Sequence, residues 1–343
     1  MSPFRSSKGR SLGKLIEGFK SSTIGQGFGS GGGGESAVTS GGTISDSGGY
    51  RYHTFFTPGS FVTGPVSEID ILAVGGGGAG GSYYGAGGGG GGVVKWLNAP
   101  LTNVSALTVT VGEGGDNTSP GTHSGTPGND TTVQGWSTIP GVLTAKGGGG
   151  GSPNAQQPGG CGGGRGSVPG SGSGGVGIQP TLNTHLTPLP DFNQYGRPGG
   201  NYTVGSTGYK PAGGGGAGVA GESVPNATSG GGYGGNGIEV PQFPGPGIPT
   251  LSPLVPRMGP NGLFYAGGGS AGPYGATPGA AGYGGGGYGH APAADELNRG
   301  RDNLGGGGGG RHGATQPSMP TEGGDGIVTV SYTHLTLPTI YSV

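Results

Sequence analysis

Alternation of apolar and polar side chains marks a series of short β-strands along the chain. Tyr50, Tyr52, Thr54 and Phe56 recur at period two, and Pro58-Gly59 follows as a turn signal. Glu68 to Val74 reads Glu-Ile-Asp-Ile-Leu-Ala-Val, a β-rich run. The same signals return in Val93 to Leu97, in Leu107, Val109 and Val111, in Val142 to Lys146, and in Ile327 to Val330. Glycine runs border these segments. Gly75 to Gly78 follows one, Gly87 to Gly92 precedes another, and Gly147 to Gly151 follows a third.

Between Ser152 and Thr321 the strand signal fades. Gly213 to Gly216, Gly284 to Gly287 and Gly305 to Gly310 punctuate it, with proline-rich joins at Pro188-Leu189-Pro190 and from Pro241 to Pro256. Only Ala294 to Asn298 suggests a helical turn. A structureless stretch of this length argues against a compact domain, unless the glycine runs are themselves secondary structure. They can be, as left-handed helices of three residues per turn that make no internal hydrogen bonds and turn their N–H and C=O groups outward. Several such helices side by side satisfy one another, and close packing leaves room for little beyond glycine at inward positions. Six residues at that rise span roughly 19 Å, so Gly87 to Gly92 and Gly305 to Gly310 could each cross a domain. The expected fold is therefore mainly β: antiparallel strands combined with a bundle of polyglycine II-type helices joined by long loops. Gly75, Gly78, Gly87, Gly92, Gly147, Gly151, Gly305 and Gly310 bound the structural runs.

Composition sharpens the alternative. The 97 glycines and 29 prolines exceed a third of the 343 residues, above the roughly 25–30% at which an aperiodic chain is called low-complexity or disordered. Net charge is only −1, with 9% charged residues, so the chain has neither the strong charge of a typical disordered protein nor a basic excess for phosphate backbones. Nucleic acid is not an expected partner. One cysteine, Cys161, excludes an intramolecular disulfide and a cysteine-based zinc site. No stretch nears the roughly 20 apolar residues of a helical membrane span, and no apolar run precedes a cleavage site at the N-terminus; membrane insertion is not expected.

Four segments follow. Residues 1–30 form a basic tail, with Arg5, Lys8, Arg10, Lys14 and Lys20, and with Leu12, Leu15, Ile16 and Phe19 on one stripe of a short helix interrupted by Gly13 and Gly18. This tail reads either as a solvated extension or as a docking peptide that orders on a partner. Residues 31–49 read as a flexible Gly/Ser linker. Residues 50–330 make the glycine-rich domain, and residues 331–343 stand apart from it.

Catalytic and metal motifs are weak. Matches to Gly-x-Gly-x-x-Gly abound, but none sits in the strand-turn-helix unit that places phosphates on a helix N-terminus. Gly128-Asn129-Asp130 looks like one calcium-binding nonapeptide repeat, a solenoid that needs consecutive copies, so a turn capped by Asn and Asp is the better reading. The six histidines show no paired spacing, and no nucleophile elbow surrounds any serine. Arg165, Arg299, Arg301 and Arg311 are too sparse for an RNA-binding arginine-glycine segment. No enzyme activity, cofactor or metal is expected.

Tyrosine carries the remaining chemistry. Tyr83, Tyr84, Tyr233, Tyr274, Tyr283 and Tyr288 all flank glycine runs. Such rings either pack over glycine Cα surfaces or stand at loop tips, where flat aromatic faces stack on sugars or meet a receptor. Tyr283 to His290 is the expected tip, and the candidate contacts are Tyr83, Tyr84, Tyr274, Tyr283, Tyr288 and His290.

Phe61 to Gly81, with Glu-Ile-Asp-Ile-Leu-Ala-Val running into Gly75 to Gly78, resembles the opening of the glycine-rich domain of bacteriophage tail proteins. Three later pieces match in order. Gly128-Asn129-Asp130-Thr131-Thr132-Val133, leading to Leu143-Thr144-Ala145-Lys146 and Gly147 to Gly151, is similar to the second segment. Gly234-Gly235-Asn236-Gly237-Ile238, with Phe264-Tyr265-Ala266 and Gly267 to Gly269, resembles the third, and Gly323 to Val330 the terminal strand. The resemblance covers about four fifths of the chain and departs from the pattern at the insert from Pro241 to Pro260. Ser11 to Ser22 also looks like the start of such proteins in marine phages.

The resemblance implies a virion component at the tail periphery, made in the host cytoplasm, with glycine helices against strands. Its implied partners are other tail proteins, met through the N-terminal tail, and a bacterial surface receptor, either a glycan or an outer-membrane protein. A structural virion spacer without receptor contact, and an extracellular or disordered glycine-rich protein, are the alternatives. The glycine-rich domain of anaplastic-lymphoma-type receptor kinases is a more distant likeness, whose disulfides have no counterpart here. Val330 to Thr339 resembles a one-frame translation of a transposase-type sequencing adapter, and Ile340 to Val343 fits an index followed by its in-frame stop. That implies a metagenomic source, a native C-terminus elsewhere, and no role for His334.

Overall fold

The period-two segments of the sequence are strands in the computed structural model. It describes residues 39–82, 85–117, 124–137, 141–166, 170–186, 189–203, 210–224, 230–243, 264–273, 277–289, 295–311 and 321–333. All of them belong to one unit, Val38–Val343, separate from Met1–Ala37.

Six strands make an antiparallel sheet in the order β1 (Thr43–Ser47), β2 (Tyr50–Phe55), β12 (Ile327–Thr333), β4 (Glu68–Val74), β5 (Val93–Pro100), β9 (Phe192–Tyr195). Four more form a second antiparallel sheet, β3 (Gly59–Val62), β6 (Ala106–Thr110), β7 (Thr131–Gln134) and β8 (Leu143–Ala145). β10 (Ile238–Glu239) and β11 (Phe264–Tyr265) pair separately. Among the described residues the helical elements are a 3-10 turn at Gln179–Thr181 and a four-residue helix, α1 (Asp295–Asn298). The fold is mainly β, as expected.

The two larger sheets pack face to face. Ile69, Ile71 and Ala73 of β4, Val94 and Trp96 of β5, and Val328 and Val330 of β12 share one core with Phe61, Leu107, Val133 and Leu143 of the smaller sheet. The alternate residues of the large sheet, Leu72, Val74, Val93 and Ile327, enter a second core with Cys161, Phe243, Tyr265 and Leu304. Burial on both faces explains why β4 carries a continuous Ile-Leu-Ala-Val stretch where a half-exposed strand would alternate. Each Ile, Leu or Val side chain so removed from water contributes about 1.5–3 kcal/mol.

Two boundaries differ from expectation. The linker expected over residues 31–49 gives way at Thr43, because β1 pairs with β2 from Thr43↔Thr54 to Ser47↔Tyr50. Gly48 and Gly49, at φ +59° and +83°, close this hairpin; two left-handed residues are what a two-residue type I′ turn requires. At the other end, β12 continues past Val330, with Ser331, Tyr332 and Thr333 paired to Tyr52, Arg51 and Tyr50. Residues 1–30 and 334–343 lie outside the described residues.

The glycine runs lie outside the strands, and their backbone groups are spent on each other. Gly75, Gly78 and Gly81 donate to Gly92, Gly89 and Ala86; Gly76 and Ala79 donate to Asn129 and Thr126; Gly77 and Gly80 donate to Gly324 and Thr321. The carbonyls follow the same rhythm, Gly76 and Ala79 accepting from Gly148 and Gly151, Gly78 and Gly81 from Gly308 and Arg311, and Gly77 from Gly115. Every third residue returns to the same neighbour, and one run meets six others. Residues 87–92 repeat the pattern. Gly87 and Gly90 donate to Ala212 and Gly215, Gly88 and Gly91 to Gly308 and Gly305, and Gly89 and Gly92 to Gly149 and Lys146, at 2.7 to 3.2 Å. A buried backbone group without a partner is costly, and this mutual pairing removes that cost without a sheet. It also forbids side chains: a Cβ at Gly88 or Gly91 would run into the carbonyl of Gly78 or Gly75.

Candidate functional site

Three runs at one side of the glycine layer are tied together by their backbones. Gly231, Gly234 and Gly237 donate to Thr277, Ala280 and Tyr283, so residues 230–237 and 277–283 lie side by side in three-residue steps. On the other side of the first run, Gly218 and Val219 both donate to the carbonyl of Asn236, and Glu222 to that of Tyr233.

Glycines hold most of the inward positions of these runs, with Ala281 beside them, and the outward positions carry larger side chains. Gly279 and Gly282 are buried, whereas Thr277, Ala280 and Tyr283 are exposed. Tyr283 is 38% exposed, Tyr233 55% and Val219 52%. The Tyr283 amide donates to Asn236 Oδ1 at 3.0 Å. Its ring meets Phe264 edge to face, with centroids 5.9 Å apart. Tyr233 is held at its amide by Glu222 Oε2 at 2.8 Å. Two phenol rings on adjacent, mutually bonded runs thus offer apolar area with a wettable hydroxyl.

The expected tip from Tyr283 to His290 is only partly of this kind. Gly284 to Gly287 are buried, Gly286 and Gly287 donating to Gly282 and Gly307. Tyr288 is half-buried, with its amide bonded to Leu297 of α1. The remaining expected contacts, Tyr83, Tyr84, Tyr274 and His290, lie outside the described residues. Tyr233 and Val219 are the other large apolar side chains exposed on these runs. The signal for this grouping is the spacing Thr277-Pro-Gly-Ala280-Ala-Gly-Tyr283, which puts glycine inward and a side chain outward every third residue. The eight bounding glycines of the expected runs, from Gly75 to Gly310, are all buried.

Elsewhere Glu113, Asp116, Asp302, Glu322 and Asp325 line an open cleft with Arg299. Arg299 reaches Glu322 at 3.0 Å, and Asp325 Oδ1 accepts the Gly114 amide at 2.8 Å. Burial raises the Asp302 pKa, against the opposing hydrogen bond from the Asp325 amide. Among the described residues no group of three or more His, Cys, Asp or Glu is arranged to hold a metal. Cys161 is buried, its thiol turned to the Gly91 carbonyl at 3.2 Å, and burial pushes it up to about 12. A thiol so protonated is no nucleophile at neutral pH. No described helix is long and apolar enough to cross a membrane.

A strand sandwich extended by a mutually bonded glycine layer defines a class of glycine-rich domain. Residues 54–333 match the family model described as Glycine-rich domain, and the chain belongs to that family. The matched segment takes in every strand from β3 onward and begins at Thr54, inside β2. A search of curated proteins gives no match.

Proposed function

We propose that this chain is a tail-fibre or tail-tip protein of a bacteriophage, which presents tyrosines on its glycine layer to a bacterial surface. The observation that carries the reading is the exposed pair Tyr233 and Tyr283 on adjacent runs. In support stands the ordered resemblance of four segments to tail proteins of this kind. The receptor is a surface glycan or an outer-membrane protein, the N-terminal tail docks on other tail proteins, and the particle carries the protein outside the cell. No catalytic step, nucleic-acid contact or membrane insertion enters this reading.

The glycine runs, in the same proposal, are polyglycine II-type helices. The support is their three-residue return: a helix of three residues per turn points every third N–H in one direction, which is the rhythm of donors along residues 75–81 and 87–92. Such a layer tolerates change at outward positions while its inward glycines stay fixed, which suits a surface that must vary.

The experiment is adsorption of the purified protein to a panel of bacteria. If the rings make the contact, replacing Tyr233 and Tyr283 together with Ala abolishes adsorption, and replacing both with Phe retains most of it, since the ring face carries the area. Adsorption is expected to depend weakly on salt, because neither ring brings charge. Undiminished adsorption of the double Ala variant would leave the spacer reading as the better account.

A further inference from the structure

His53 lies at the centre of β2 with no exposed surface. Its ring is stacked on Tyr332 of β12, with centroids 5.8 Å apart, and meets Phe61 of β3 edge to face at 5.0 Å. Nδ1 contacts the Gly41 carbonyl at 2.7 Å. A carbonyl can only accept, so Nδ1 carries the proton and Nε2 is left with its lone pair. Among the described residues Nε2 is buried without a hydrogen-bond partner.

Gly41 belongs to the short segment, residues 39–42, through which the chain joins the sheet ahead of β1. That segment is held at three places. Thr39 Oγ1 bonds the Tyr332 hydroxyl, Ser40 and Val62 exchange backbone bonds at 2.9 and 3.2 Å, and Gly41 accepts from His53. The fit is tight at Gly41, where φ is +109° and a Cβ would strike the Ser60 carbonyl.

We propose that His53 is a pH-sensitive latch: its neutral ring fixes residues 39–42 and β1 to the sheet, and its protonation releases them. Proton uptake at Nε2 creates a donor in a buried site between two aromatic rings where no described residue accepts it. An unpaired buried donor, charged as well, is expensive. The groups around it do not offset this. β2 and β1 contribute Arg51 and Asp46, joined to each other at 2.8 and 3.0 Å; Arg51 opposes the charge and Asp46 favours it. β12 contributes the Tyr332 phenol, while β3 and residues 39–42 contribute no charge. Burial dominates and lowers the His53 pKa from 6.5, with the Gly41 contact working the other way.

The released segment leaves His53 with an ordinary histidine pKa, above that of the closed state, so the open form binds more protons and opening is favoured as pH falls below about 6.5. Above that value the latch holds fully. The device lies outside the family-matched segment on its N-terminal side, except for His53's neighbours from Thr54 onward.

The test is hydrogen exchange of the full chain at about pH 7.5 and about pH 5.5, a window that spans histidine and stays above the carboxylates. Rates are normalised to intrinsic exchange. Opening of residues 43–47 is expected to rise up to about tenfold at the lower pH, the ceiling set by one unit below the open-state value, while β4 and β5 keep their protection. In His53→Phe the acid response of residues 43–47 should vanish. An equal response in that variant, or none in the parent, overturns the proposal. Should His53→Phe fail to fold, the ring titration of His53 followed by NMR in the native chain decides instead: a midpoint at or above the ordinary histidine value overturns the latch.

Discussion

At the level of single residues, glycine here has two unrelated uses, and substitution separates them. Gly89 and Gly307 are buried, and a Cβ at either would meet the backbone of Cys161 or of Gly88. A carbonyl oxygen of a packed neighbour cannot swing away as a side-chain end can. Gly89→Val and Gly307→Val should therefore each lose at least about 3 kcal/mol, or fail to fold, at the upper end of what overpacking costs. Gly48 needs only its left-handed φ of +59°, and nothing lies within 4 Å of a Cβ there. Gly48→Asn should stay within about 0.5 kcal/mol of the parent, since Asn is a favoured residue of this turn. Denaturant unfolding of the three variants checks both expectations, and equal tolerance at all three positions would return the chain to the disordered-linker reading. The runs were legible in the sequence as candidate structure, but the split between packed and merely bent glycines was not, because it depends on which backbone lies opposite.

Among the elements, the strands richest in β-branched residues were the easiest to read. Glu68 to Val74 is β4 to the residue, and the period-two residues Leu107 and Val109 lie in β6. β1, Thr-Ile-Ser-Asp-Ser, carries one apolar residue and escaped notice, because a hairpin partner rather than its own pattern makes it a strand. The 3-10 turn at Gln179–Thr181 was equally unmarked, yet it seats a network of buried amides. Gln179 Oε1 accepts from the Lys146 amide at 2.6 Å, and its Nε2 donates to the Thr144 carbonyl and to Gln194 Oε1. Asn183 accepts from the Thr144 amide and donates to the same two oxygens. These side chains complete the free edge of β8 and tie it to β9. Gln179→Ala leaves the Lys146 amide unpaired and should cost about 1–3 kcal/mol. Asn183→Ala should cost a similar amount, and the double variant less than the two together, because both act on one network. Thermal or denaturant melts of the two single variants and the double variant measure this.

For the whole molecule, the decisive fact is where the last strand goes. β12 lies between β2 and β4, paired to both, and its Ile327, Val328 and Val330 serve the two cores. Removing residues from Ile327 onward would strip the middle of the six-stranded sheet, not an edge. The truncated chain should show no cooperative unfolding and no protease-resistant core, whereas truncation after Thr333 should keep both. A limited-proteolysis time course, with the fluorescence of Trp96 and Trp136 following the melt, distinguishes the two. Folding of this domain thus waits on contacts spanning nearly its full length, a slow kind of topology.

By itself the sequence determined the class: strand-forming periods with glycine runs set beside them. Those are properties of local side-chain size and spacing, and they survive being read one segment at a time. Tertiary structure decided what the segments meet. It set β12 in the centre of the sheet, made β1 a strand, buried His53 against Gly41, and left Tyr233 and Tyr283 exposed on adjacent runs while half-burying Tyr288. The physical reason is that a glycine run carries no side chain to name its partner. Its six neighbours are chosen by backbone hydrogen bonds, which look alike at every position of the sequence and become specific only when the whole layer is assembled.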